Sequence, residues 1–276
     1  MYMINVSADT VLDVHVHGDE AGWPLLLINP TAQNQLVWTA LTPALRDAGY
    51  RMICYDHRGI GESPRGRAEI STTGLARDAA SLLDALGVQR AHVVGWSLGS
   101  AVAQELALAR PDRVGSLVLY GTWARADAFQ RAVFTSLRHT WATRDMNEIM
   151  TAMAVVFSPE LINSPALSSL IEQVLPAMPA TELQMATTIE QWDADLRHDT
   201  HDRLGSITAP TLVIAGEQDL LTPPWQAKAV ADAIPGAELE ILDGPGSSHA
   251  LAFERPVEFL SLVLDFLLRN KETLHT

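Results

Sequence analysis

AHVVGWSLGSAVAQELALARP, residues 91–111, joins a β-branched run to a helical run through a serine flanked by glycines. Ala91 to Val94 reads as a strand buried on both faces, and Leu98 to Arg110 as a helix ending before Pro111. Almost no loop separates the two. Gly95 and Gly99 lie two positions either side of Ser97, where side chains would crowd the neighbouring strand or helix. The turn is therefore strained. It lifts the Ser97 hydroxyl above the end of a sheet, at a helix N-terminus whose dipole favours developing negative charge. A serine so placed is still a weak nucleophile near neutral pH. It needs a base within hydrogen-bond reach and an acid to orient that base.

The rest of the chain supplies the sheet. VLDVHVHG (11–18) alternates like a strand with one wet face, and Asp13, His15 and His17 read as its solvent side. LLLIN (25–29), RMICYD (51–56), SLVLYG (116–121), TLVIAG (211–216) and ELEIL (238–242) are nearly continuous apolar runs that suit buried parallel strands. Helical spacing joins them: Leu75, Ala79, Leu82, Leu83 and Leu86 share one face before Gly87, and Val257, Leu260, Leu264 and Leu267 share another. This alternation predicts an α/β fold, a mostly parallel doubly wound sheet with helices on both faces. It lapses between about 122 and 205, where helical segments are broken by Pro159, Pro165, Pro176 and Pro179. The expected organisation is thus one core domain, 1–121 and 206–276, carrying a helical lid insertion at 122–205. Met146, Met150, Met153, Met178 and Met185 fall in that lid, either packing its helices or lining a ligand site.

The base and the acid should follow at strand ends. Asp219 stands three residues past Gly216, and His249 stands in the loop after the last strand. The order Ser97, Asp219, His249 is that of nucleophile-elbow enzymes. Asp243 is a second choice of acid, on the histidine's own loop. RHDTHD (197–202) offers two histidines and two aspartates in six residues, but reads as a charged exit from the lid rather than a metal site. No metal or organic cofactor is called for. Trp96, beside the serine, reads equally as pocket wall or core.

Bulk properties narrow the function classes. The chain has 276 residues, 47% hydrophobic and 19% charged, with a formal net charge of −14. That acidic balance disfavours nucleic acid and anionic membranes as partners. No stretch approaches a membrane span or a signal sequence, and Cys54 is the only cysteine, read as a buried thiol. A cytoplasmic protein acting on a small molecule is expected, in an oligomeric state the sequence leaves open.

The chain resembles α/β-hydrolase fold proteins of the lidded, single-domain kind that includes carboxylesterases, enol-lactonases and meta-cleavage C–C hydrolases. The likeness runs through YDHRGIGES (55–63), GWSLGS (95–100), PTLVIAGEQD (210–219) and SSHALAFERP (247–256). It implies a structural role for the loop of Asp56, His57 and Arg58. It also implies an oxyanion hole built from the Leu98 amide and the amide two places past the strand at 25–28. Where the family has His-Gly, this chain has Asn29-Pro30, which leaves Thr31 as the donor. Thr31, Gln33, Asn34 and Gln35 form either a substrate contact or a solvated loop. The reading is a serine hydrolase cleaving a small-to-medium ester, lactone or thioester with a mainly apolar acyl group, with Trp96, Met150, Met153 and Met185 as candidate substrate contacts. The alternatives are C–C hydrolysis of a vinylogous diketone, or a non-hydrolytic cyclase, peroxidase-like or receptor relative on the same scaffold.

Overall fold

Leu25, Leu26, Leu27 and Ile28 are all buried, which consecutive strand residues achieve only when both faces of their sheet are covered. A computed structural model, describing residues 2–274, shows how. Eight strands form one sheet: β1 (Tyr2–Ser7), β2 (Thr10–His17), β3 (Trp23–Ile28), β4 (Tyr50–Tyr55), β5 (Ala91–Trp96), β6 (Val114–Tyr120), β7 (Thr211–Gly216) and β8 (Glu238–Leu242). Their order is β1-β2-β4-β3-β5-β6-β7-β8, antiparallel at β1, β2 and β4 and parallel from β4 onward. Between the core strands run α1 (Thr42–Asp47), α2 (Thr72–Ala85) and α3 (Leu98–Ala109). The stretch from β6 to β7 holds α4 (Ala128–Thr143), α5 (Met146–Ala152), α6 (Pro159–Ile162), α7 (Ala166–Val174) and α8 (Glu182–Arg197). Then come α9 (Pro224–Ala233), α10 (Leu251–Glu254) and α11 (Pro256–Arg269).

Alternate strand residues feed separate cores. Leu26, Ile28, Val93, Leu117 and Val213 pack with residues of α2, α3 and α9. Leu25, Leu27, Val94, Val118 and Leu212 pack with residues of α1, α10 and α11 on the other side. A third cluster, holding Trp123, Phe134, Trp141 and Trp192, lies under α4 and α8. The chain steps from β3 outward to β4, then returns to the other side of β3 for β5. Crevices form at such reversals, beyond the carboxyl ends of the strands. Among the described residues no helix is long and apolar enough to cross a membrane.

Four local expectations are corrected. On α11 Leu267 is buried and Leu260 and Leu264 pack half-buried on the core, but the face is centred on the buried Phe259, Val263 and Phe266, and Val257 is 80% exposed. The two phenylalanines have more apolar surface to bury and so set the helix's rotation. β8 is only half-covered; among the described residues it is the edge strand of the sheet. Asp13 is buried rather than on a wet face: β1 extends the sheet beyond β2, the Ser63 hydroxyl accepts from the Asp13 amide at 2.8 Å, and His15 Nε2 sits 2.8 Å from its carboxylate. Within RHDTHD only part is a charged exit. Asp199 and Asp202 pair with Arg125, but His198 is buried against Thr72 and Gln104.

Candidate active site

Ser97 has φ 54° and ψ −120°, a left-handed conformation that a non-glycine residue adopts only under constraint. The constraint is close packing. A Cβ on Gly95 would collide with the Gly99 carbonyl, and one on Gly99 with the carbonyls of Ile28 and Asn29. Those glycines let α3 start immediately above β3 and β5. The Ser97 amide donates to Tyr120 on β6 at 2.9 Å, fixing the elbow to the sheet. Leu98 is the first residue of α3, so its amide has no acceptor within the helix.

Asp219 and His249 meet at the ends of β7 and the last crossover. His249 Nδ1 lies 2.8 Å from Asp219 Oδ2. The other carboxylate oxygen accepts from the Leu221 and Thr222 amides at 2.8 and 2.9 Å. The Thr222 hydroxyl donates to Asp219 Oδ2 at 2.7 Å and lies 3.2 Å from His249 Nδ1. The imidazole packs beside the rings of Trp96 and Tyr120, which stack on one another, and the Tyr120 hydroxyl donates to the His249 carbonyl at 2.5 Å. Burial first, and the nearby Asp219 charge second, push the Tyr120 phenol well above its usual range, so it stays a donor. Asp243 is exposed, and its carbonyl is occupied by Arg255. Asp219 is the acid brought to the histidine. The threonine behind it has no signature in sequence.

The loop after β3 forms the third side. Asn29 donates to the Tyr55 carbonyl and accepts from Trp38 Nε1, both at 2.7 Å. Thr31 Oγ1 donates to Asp195 Oδ2 at 2.7 Å, and the Ala32 amide donates to Gln191 Oε1 at 2.8 Å. Neither Asp195 nor Gln191 stood out in sequence. Asn34 and Gln35 are structural, bound to Pro176 and Asp56. Gln33 instead faces the interior. His57, behind the loop, contacts the Asn29 carbonyl at 3.1 Å, and burial lowers its pKa to about 4. Arg58 pairs with Asp78 at 2.6 Å.

Thr31, Ser97 and His249 line one pocket together with Trp96, Met153 and Trp192. Behind it lies an enclosed apolar cavity whose walls include Met150, Met153, Met178, Phe157 and Ile171. Trp96 and Gln33 line both spaces, so Trp96 is pocket wall as well as core. Met146 and Met185 pack against the third core cluster. Glu254 closes the near side: its carboxylate accepts from the Ser158 amide and hydroxyl at 2.9 and 2.5 Å and from the Ser248 hydroxyl at 2.6 Å. The Ala250 amide donates to the Val156 carbonyl at 3.1 Å. The histidine loop and the stretch at 156–158 are thereby tied together.

Such a fold with such a site defines a class, and comparison with known proteins gives the same one. Residues 24–147 match the family described as alpha/beta hydrolase fold, and residues 178–270 match one described as TAP-like protein. The chain belongs to the alpha/beta hydrolase fold family. A curated relative from Azorhizobium caulinodans, named "Putative carbamate hydrolase RutD", is 33% identical over 94% of this chain and 95% of its own length. A solved hydrolase from Pseudomonas aeruginosa PA01 is 30% identical, with TM-score 0.84 over 96% of this chain and 97% of its own. The enol-lactonase from Burkholderia xenovorans LB400 is 26% identical, with TM-score 0.82 over 95% of this chain and 99% of its own. With these relatives the chain is a hydrolase of that fold, acting on a small molecule.

Proposed function

We propose that the chain is a serine hydrolase of small-to-medium carboxylic esters, lactones or thioesters with a mainly apolar acyl group, working through an acyl-enzyme. The observation that carries this reading is the 2.8 Å His249–Asp219 contact in a pocket shared with Ser97 at its strained turn. Ser97 Oγ attacks the acyl carbon while His249 Nε2 takes its proton. Asp219 fixes the imidazole with Nδ1 protonated and stabilises its charged form. The Leu98 and Thr31 amides hold the oxygen that gains charge as the carbonyl becomes tetrahedral. His249 then returns the proton to the leaving group, and water repeats the sequence to release the acid.

The acyl preference follows from the cavity walls. Each methylene buried there contributes about 0.8 kcal/mol, a term that a compact polar acyl group forgoes. The relative named for carbamate hydrolysis acts, by that name, on a carbonyl flanked by nitrogen, which the same steps would cleave. The methionine-walled cavity favours a longer apolar chain instead. Its free space is only about 30 Å³, room for about two waters, so a chain enters as the methionines repack.

The test joins labelling to a substrate panel. A fluorophosphonate should modify Ser97, read by peptide mass spectrometry, and Ser97→Ala should not label. Ser97→Ala, Asp219→Asn and His249→Ala should each lower turnover by on the order of 10⁴-fold while the fold persists. Esters with linear acyl chains should outrun carbamates of equal leaving group. Labelling elsewhere, or activity surviving in all three variants, defeats the reading.

A further inference from the structure

Thr31 enters the chemistry through its amide, yet its side chain and the next amide are both taken up by α8. Gln191 and Asp195 are four residues apart, one helical turn, and so present the same face. From that face Asp195 Oδ2 accepts the Thr31 hydroxyl and Gln191 Oε1 accepts the Ala32 amide. Between those two bonds the backbone turns through Ala32 at φ 70°, one of three non-glycine residues with positive φ among those described, Ser97 being another. A strained turn persists only where its surroundings over-determine it. Here α8 does so.

α8 is itself fixed. It begins in a capping box at Thr181 and Gln184, and Gln184 Nε2 also donates to the Gly61 carbonyl at 2.7 Å. Glu190 pairs with Arg65, and Arg197 donates to the Ile70 carbonyl at 3.1 Å. Three points along the helix are thus anchored to the 61–70 region of the core. Packing alone does not account for the two polar side chains. Both are buried, and Asp195 Oδ1 and Gln191 Nε2 have no partner, so apolar residues would make a more stable α8. Burial lifts the Asp195 carboxyl to about 8, which keeps it mostly uncharged near neutral pH. An uncharged acid beside the loop does not repel a developing oxyanion.

We propose that Asp195 and Gln191 are positioning residues for the oxyanion: from one face of α8 they hold the Thr31–Ala32 turn so that the Thr31 amide aims at the carbonyl oxygen attacked by Ser97. The proposal rests on the reading of Ser97 as nucleophile. It makes the helix a source of the geometry alongside the loop's own sequence, adding a clamp on one side to the stiffness that Pro30 gives on the other.

The test begins with wild type and a fluorophosphonate; absence of a Ser97 adduct would overturn both readings at once. With Ser97 labelled, Asp195→Leu and the isosteric Thr31→Val are compared with Asp195→Asn, all normalised to labelled sites. A loosened amide should lower kcat by roughly 10- to 100-fold with KM within about threefold, as a misplacement of order 1 Å does. Binding of a trifluoromethyl ketone, whose adduct carries the oxyanion, should weaken by the same factor as kcat/KM. Asp195→Asn keeps an acceptor for Thr31 and should stay near wild type. If Asp195→Leu does not fold, Thr31→Val reads the same bond from the loop side. Unchanged kcat in the folded variants, or a loss confined to KM with ketone affinity intact, would overturn this proposal and leave the Ser97 reading standing.

Discussion

Thr222 touches both members of the Asp219–His249 pair, and its consequence is electrostatic. Its hydroxyl donates to the same carboxylate oxygen that the imidazole meets, so it helps keep the Asp219 carboxylate aimed at the imidazole. Hydrogen bonds to charged groups contribute about 1.5–3 kcal/mol. Thr222→Val should therefore lower kcat by roughly tenfold and the melting temperature by several degrees, while Asp219 keeps two backbone donors on its other oxygen. Steady-state kinetics on the best ester of the panel checks this; an unaltered kcat would mean the backbone amides suffice. The same scale explains what could be read early. Ser97 announced itself because glycines and a strand-to-helix junction are local signals. Asp195 did not, because its partner Thr31 lies 164 positions away and nothing near 195 hints at it. Asp13 misled for a related reason: alternation assigns a face, but whether that face is wet depends on elements elsewhere.

At the scale of elements, the stretch between β6 and β7 divides its methionines between two duties. Met150, Met153 and Met178 border the apolar cavity, the last two also touching the third core cluster, whereas Met146 and Met185 pack on that cluster alone. Alanine at the first three should shift the ranking among acyl chain lengths by about 1–3 kcal/mol in relative kcat/KM. Alanine at the other two should lower the melting temperature and leave the ranking alone. A graded series of esters, with thermal melts on the same samples, separates the two groups; an identical ranking in all five variants would remove the cavity from acyl selection. The sheet strands were legible because parallel strands are apolar throughout. The face of α11 was less so, because periodicity marks which residues share a side but two phenylalanines outweigh aliphatic residues in choosing it.

Across the whole molecule, pH acts through residues sunk in the core. His198 is held by Thr72 and Gln104, and burial lowers its pKa from 6.5 to about 4. Between those values the unfolded chain binds a proton that the folded chain refuses, so stability rises with pH across that window and falls on acidification. His198→Gln lacks this dependence. The stability difference between wild type and His198→Gln should change, against wild type, by on the order of 3 kcal/mol from pH 6.5 to 4. His57 and His92 shift the same way, and Asp56, Asp78 and Asp195 oppositely, but all five are common to both proteins. Urea melts at several pH values measure the difference; parallel stability curves would show that His198 does not titrate as burial demands. One carboxylate extends such coupling to access. Glu254 grips Ser158 on one side and Ser248, next to His249, on the other. The stretch at 156–158 is therefore fastened to the loop that carries His249 twice, through Glu254 and through the Ala250–Val156 bond. One side chain is thus a common rivet: whatever displaces the wall at 156–158 must break bonds to the same carboxylate that braces the His249 loop.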